Sequence, residues 1–87
     1  MYTGQFDDGH MTGKGTMLYI SGDRYEGNWL EDCQHGMGTL YYHDGGKYEG
    51  RWHKDKKHGQ GQSTDKQGNI KVSLWHMDQE QTTHHNI

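Results

Sequence analysis

Apolar and polar residues alternate with a period of two through most of this chain. In "YEGNWL", Tyr25, Gly27 and Trp29 fall on one side of an extended strand, with Glu26, Asn28 and Leu30 on the other. In "GMGTLYY", Gly36, Gly38, Leu40 and Tyr42 share a face opposed by Met37, Thr39 and Tyr41. The polar loop "EDCQH" separates the two strands, and "HDGGK" follows as a turn that calls for positive φ. "SGDR" and "QGNI" hold the same place in the flanking segments. The pattern predicts one β-hairpin per segment and an antiparallel meander overall. No stretch of this region reads as a helix.

The segments repeat. A step of 23 residues links Tyr2, Tyr25 and Tyr48; Gly4, Gly27 and Gly50; and Phe6, Trp29, Trp52 and Trp75. The same step links Gly13, Gly36 and Gly59; Gly15, Gly38 and Gly61; and Gly22, Gly45 and Gly68. Of the 14 glycines only Gly9 and Gly46 fall outside this scheme. The units are residues 2–24, 25–47 and 48–70, with a partial fourth at 71–75 and a polar tail at 76–87.

Composition explains what such a repeat must do. Leu, Ile, Val and Phe together number only nine in 87 residues, too few for an aliphatic core. Yet the chain carries ten aromatic residues and a net charge of only −3, unlike a disordered chain. Glycine inside a strand is costly unless something must approach the backbone closely. We therefore expect Tyr and Trp rings to bed on glycine backbone, hairpin after hairpin, as an aromatic stripe that serves as the core.

"YEGNW…HGMG", "YEGRW…HGQG" and the looser "YTGQF…TGKG" resemble the MORN (membrane occupation and recognition nexus) repeat, a hairpin unit of about this length. The likeness covers Tyr2 to Trp75 and includes His35 and His58 before their glycines. It departs at Thr12 and Phe6 in the first unit, and at Lys71 and Ser73 in the fourth. The resemblance implies an all-β, single-layer antiparallel meander of stacked hairpins. It also implies a scaffold role in a cytoskeletal, ciliary or membrane-associated assembly.

At the ends, "GQGQSTDK" is polar on both faces and suits an edge or weakly held strand, and "KVSLW" a closing strand. The tail "HMDQEQTTHHNI" suits a frayed helical turn or disorder. With three full hairpins and no cap, the array is expected to lean on another chain or a second copy.

Functional chemistry is sparse. A pI near 6.2 gives no reason to expect nucleic acid. The lone Cys33 cannot form an internal disulfide, which suits a reducing, cytoplasmic setting. Ser21, Ser63 and Ser73 lack a nucleophile's context, and "GKGT" at Gly13 lacks the spacing of a phosphate loop, so no enzyme and no cofactor are expected. His35 and His58, one unit apart, form an incomplete ligand set; they read as loop-closing donors or rings packed on the stripe, with no metal site. His84 and His85 in the tail add little.

Two surfaces remain. A one-layer sheet leaves a second face, carrying Leu18, Ile20, Leu30, Met37 and Tyr41. With Trp29, Trp52 and Trp75 of the stripe, these are the candidate partner-binding residues. Sheet edges offer β-augmentation as another docking mode. The alternative is a basic loop, Arg51, Lys54, Lys56 and Lys57, meeting acidic phospholipid. The leading expectation is a non-enzymatic protein–protein interaction module.

Overall fold

The computed structural model describes residues 1–81 and contains strands and turns only. Eight strands form one antiparallel sheet in chain order: β1 (Tyr2–Asp7), β2 (His10–Leu18), β3 (Arg24–Leu30), β4 (Cys33–Tyr41), β5 (Lys47–His53), β6 (Lys56–Thr64), β7 (Ile70–His76) and β8 (Gln79–Gln81). The ribbon measures 52 × 26 × 16 Å, a single layer thick in its least dimension.

Glycine and tyrosine set the packing. Gly27 stands opposite Gly38 across β3 and β4, and the Tyr25 ring lies flat over the gap. A methyl group on Gly38 would collide with the Tyr25 ring and hydroxyl. Tyr48 covers Gly61 and Tyr2 covers Gly15 in the same way. Tyr25 and Tyr48 are fully buried although no second layer of secondary structure covers the sheet among the described residues. The tryptophans stand edge-on between these rings. Phe6, Tyr2, Trp29, Tyr25, Trp52, Tyr48 and Trp75 make a continuous zigzag of T-shaped contacts, centroids 5.1 to 5.8 Å apart. Six such contacts at ~0.5–1.5 kcal/mol each are comparable with the whole stability of a small domain, ~5 kcal/mol and upward. The expected aromatic stripe is the core.

Although Gly36 and Gly38 share a face in the alternation, Gly36 and Gly59 do a different job from Gly38 and Gly61. They sit at φ +82° and +95°, inside a bulge where the second strand of each hairpin carries two residues more than the first. Gly27 pairs with Gly38, but two residues on, Trp29 pairs with Gln34. Two added residues preserve the alternation of faces, so the stripe stays on one side. Junctions between hairpins, such as β2–β3 and β4–β5, run without a shift.

Three expectations need correcting. The loop "EDCQH" is only Glu31–Asp32, at φ 48° and 69°, a type I′ geometry reached without glycine; Cys33 onward is already β4. The strand containing "GQGQST" is neither an edge nor weakly paired: β6 is held by β5 and β7, and the Tyr48 ring supplies packing that its own side chains lack. The sheet also runs past Trp75. His76 pairs with Gln79 and Trp75 with Glu80, making a full fourth hairpin of what was expected to be tail. Residues 82–87, with His84 and His85, lie outside the described residues.

Gly38→Val should abolish cooperative melting, because the added carbons occupy the volume of the Tyr25 ring. Gly9→Ala has open space around its Cβ and only its positive φ of 81° to pay for, so it should cost about 1 kcal/mol. Thermal melts followed by tryptophan fluorescence separate the two outcomes.

Candidate functional site

The aromatic face carries a groove of about 720 Å³ running across all four hairpins. Trp29, Trp52 and Trp75 form its floor, with Met11, Met17, Leu40, Tyr19 and Tyr42 along the sides. Its acids are Asp23, Asp32, Asp55 and Asp78, and Lys57 is its single cation.

Three of those acids also fasten the hairpins together. Asp32 at the tip of the second hairpin donates its backbone N–H to the Met11 carbonyl (3.1 Å), while its Oδ1 accepts the Met11 N–H (2.7 Å). Asp55 does the same with Gln34 (3.0 and 2.7 Å), and Asp78 with Lys57 (2.8 and 2.7 Å). Each tip is thus clamped at two points to the hairpin before it. The first unit has Gly9 at this position and no earlier hairpin among the described residues to hold. Sequence reading missed the clamp, although its signal was present: an aspartate recurs every 23 residues at a turn position where glycine would strain less.

Below the clamp, one position per unit points into the groove from the second strand: Met11, Gln34 and Lys57. Gln34 is buried and donates to the Tyr19 hydroxyl at 2.7 Å. The Lys57 ammonium lies over three rings, 4.5 Å from Trp75, 4.7 Å from Tyr48 and 5.6 Å from Tyr42. Burial pushes the Tyr48 hydroxyl up to about 12 and raises Tyr25 further. Both phenols stay neutral at any ordinary pH.

The junction between the third and fourth hairpins is less complete than the others. Tyr25 Oη donates to the Asn28 carbonyl, and Trp52 Nε1 to the Gly38 carbonyl. Their counterparts, Tyr48 Oη and Trp75 Nε1, are buried without a partner. Where the fourth unit lacks tyrosine and glycine, Lys71 and Ser73 both bond to Glu80, the Lys71 contact being 2.8 Å.

The predicted site residues do not fall in one place. Trp29, Trp52 and Trp75 line the groove. Leu18, Ile20, Leu30, Met37 and Tyr41 lie on or around the opposite face without forming a patch. Arg24 stands between Leu18 and Tyr41 in the strand register, with its guanidinium 4.4 Å from the Tyr41 ring. Ile20 is in a turn and Leu30 at a hairpin tip. The larger exposed apolar row on that face is Ile70, Val72 and Leu74 of β7. The basic loop also divides: Arg51, Lys54 and Lys56 are exposed, whereas Lys57 turns into the groove.

The histidines depart from both roles expected of them. His35 and His58 line up with His53 and His76 on the face away from the stripe, tilted rings with centroid spacings of 5.0, 5.6 and 5.0 Å along the row. His58 Nδ1 accepts the Met77 N–H at 3.3 Å. Among the described residues no three His, Cys, Asp or Glu side chains converge as a metal-ligand set.

A one-layer ribbon of clamped hairpins, glycine-floored and ring-filled on one side, defines a solenoid-like repeat protein with an open groove. Sequence comparison then supplies the family. The MORN repeat profile matches residues 2–24, 25–47 and 48–70, the same three units, and the chain belongs to the MORN repeat family. MORN repeats are generally modules for interaction with proteins or membranes. No individual curated protein matches the chain.

Tyr25→Phe should cost about 1 kcal/mol by removing the bond to Asn28, while Tyr48→Phe, which removes an unpartnered hydroxyl, should be neutral or stabilising. Asp55→Ala should cost about 1–3 kcal/mol through the lost clamp and the positive φ, and Asp55→Asn, which keeps an acceptor and tolerates that φ, clearly less. Urea titrations of the four variants test both orderings.

Proposed function

We propose that the chain is a non-enzymatic scaffold whose groove receives an extended or helical segment of a partner protein, laid across successive hairpins. The groove carries this reading. It is lengthwise, apolar on its floor and sides, and edged by carboxylates, the composition of a binding surface rather than of a reaction centre. Among the described residues no serine, threonine or cysteine shares a hydrogen bond with a histidine, which supports a role without catalysis. Kinship suggests that the assembly served is cytoskeletal, ciliary or membrane-associated.

Peripheral binding to acidic lipid is the second reading. It now draws on Arg51, Lys54 and Lys56, because Lys57 lies with the rings.

The test uses the whole chain as bait for co-purification from its native source, alongside two variants. Met17→Glu with Leu40→Glu places charge in the groove at partly exposed positions and should abolish capture while the melting curve stays cooperative. Met37→Glu, on the opposite face, should leave capture intact. Capture that survives the groove variant and fails with Met37→Glu would overturn the proposal. Flotation with acidic vesicles that disappears when Arg51, Lys54 and Lys56 are reversed would favour the lipid reading.

A further inference from the structure

We propose that the row His35–His53–His58–His76 makes the ribbon acid-sensitive at one end, so that mild acidification loosens the third and fourth hairpins while the first two hold. The groove reading is not needed for this inference.

Geometry comes first. The four rings form a row across β4, β5, β6 and β7, tilted 44° to 49° to one another with centroids 5.0 to 5.6 Å apart, too close for neighbouring imidazoles to be charged together without mutual repulsion. The charged groups facing them are cations. β5 contributes Arg51, the third tip Lys54, and β6 Lys56, which stands opposite His53 in register; Gln79 of β8 stands opposite His76. The nearby acids are committed elsewhere. Asp55 and Asp78 are in the clamps of the groove side, Glu80 holds Lys71 and Ser73, and Glu49 pairs with Lys47. Glu31, at the second tip, borders a hollow with Asp7, Asp8 and His10.

Protonation has a direct mechanical consequence at His58. Its Nδ1 accepts the Met77 N–H, and an imidazolium has two donors and no acceptor, so the fourth tip loses that tie to β6. The joint it holds is already the least complete among the described residues, with Tyr48 Oη and Trp75 Nε1 unpartnered.

Linkage has the same sign. Burial, then the neighbouring His35, Lys54 and His58, lowers the His53 pKa. The unfolded chain therefore takes up this proton before the folded one does. Stability is complete above the ordinary histidine value of about 6.5 and declines as pH falls through it.

The other end behaves oppositely. His10 is hydrogen-bonded to Asp32 at 2.9 Å, which raises the His10 pKa and lowers that of Asp32. That contribution is present in mild acid and is lost as pH rises through the raised His10 value. One pH step thus pushes the two halves in opposite directions.

Amide hydrogen exchange on the full chain at pH 7.5 and 5.5, expressed as protection factors, tests the proposal. Protection at Gln62 in β6 and Val72 in β7 should fall by about tenfold for each proton excluded by one pKa unit. Protection at Glu26 in β3 and Thr39 in β4 should hold or rise. His53→Gln with His58→Gln should flatten the response of β6 and β7; His10→Gln should leave it unchanged and remove any gain in β3. Parallel changes in both halves, or a double variant that retains the wild-type response, would overturn the inference. If the double variant does not fold at pH 7.5, imidazole titration of the wild type decides. Curves coupled and spread over more than about two pH units support the row, and four independent curves near about 6.5 refute it.

Discussion

A tyrosine ring resting on bare backbone is the contact on which the rest of this molecule depends. A single sheet has no second layer to bury side chains, so hydrophobic burial must happen within its own thickness. Glycines facing one another across each hairpin open a space one ring deep, and Tyr25 and Tyr48 fill it completely. The tryptophan of the next hairpin then closes the edge of that ring and, in two cases, donates to the carbonyl of the same glycine. Tyrosine therefore belongs energetically to its own unit and tryptophan to the junction. This division explains why the motif needs both, in a fixed order, and why neither can substitute for glycine beneath them.

Each unit is finished by its neighbour, and the first and fourth units depart from the common scheme. At the first tip, Gly9 stands where later units place a clamping aspartate. In the fourth unit, Asp78 still clamps backward, but Lys71 and Ser73 stand where the earlier units have the tyrosine and its glycine. The result is a ribbon with direction. Its first junctions have every hydrogen bond of the motif and its last has lost two, so local stability falls toward β7 and β8.

Much of this was legible in the residues. The step of 23 placed the first three hairpins, and period two placed Tyr25, Gly38, Trp52 and Leu40 on one face, where they lie. What stayed hidden depended on backbone torsions that letters do not display. Gly36 looked like another slot because its parity matches Gly38, yet its φ of +82° serves a bulge. Cys33, Gln34 and His35 looked like loop because a two-residue turn without glycine, here Glu31–Asp32 in the left-handed region, is uncommon. Asp32, Asp55 and Asp78 gave no hint of their partners, since a clamp reaching 21 residues back leaves no local pattern. The histidine row was hidden for a further reason: His35 and His58 lie one step of 23 apart, as do His53 and His76, but the two series meet only through the pairing of their strands.

The repeat also separates positions that build from positions that choose. Tyrosine, tryptophan and the paired glycines leave almost no freedom, whereas the groove-facing site after each clamp holds Met11, Gln34 and then Lys57. These three differ in chemistry while their backbones are fixed alike by the aspartate tips. Changing one of them alters what the groove presents while the backbone ties to the aspartate tips remain. Lys57 shows the extent of that freedom, bringing a cation over Tyr48 and Trp75 in a groove that is otherwise apolar and acidic. A partner laid along this surface would meet a thioether, an amide and an ammonium in succession. Its orientation could be read from that order alone, because the frame beneath is nearly the same at every step.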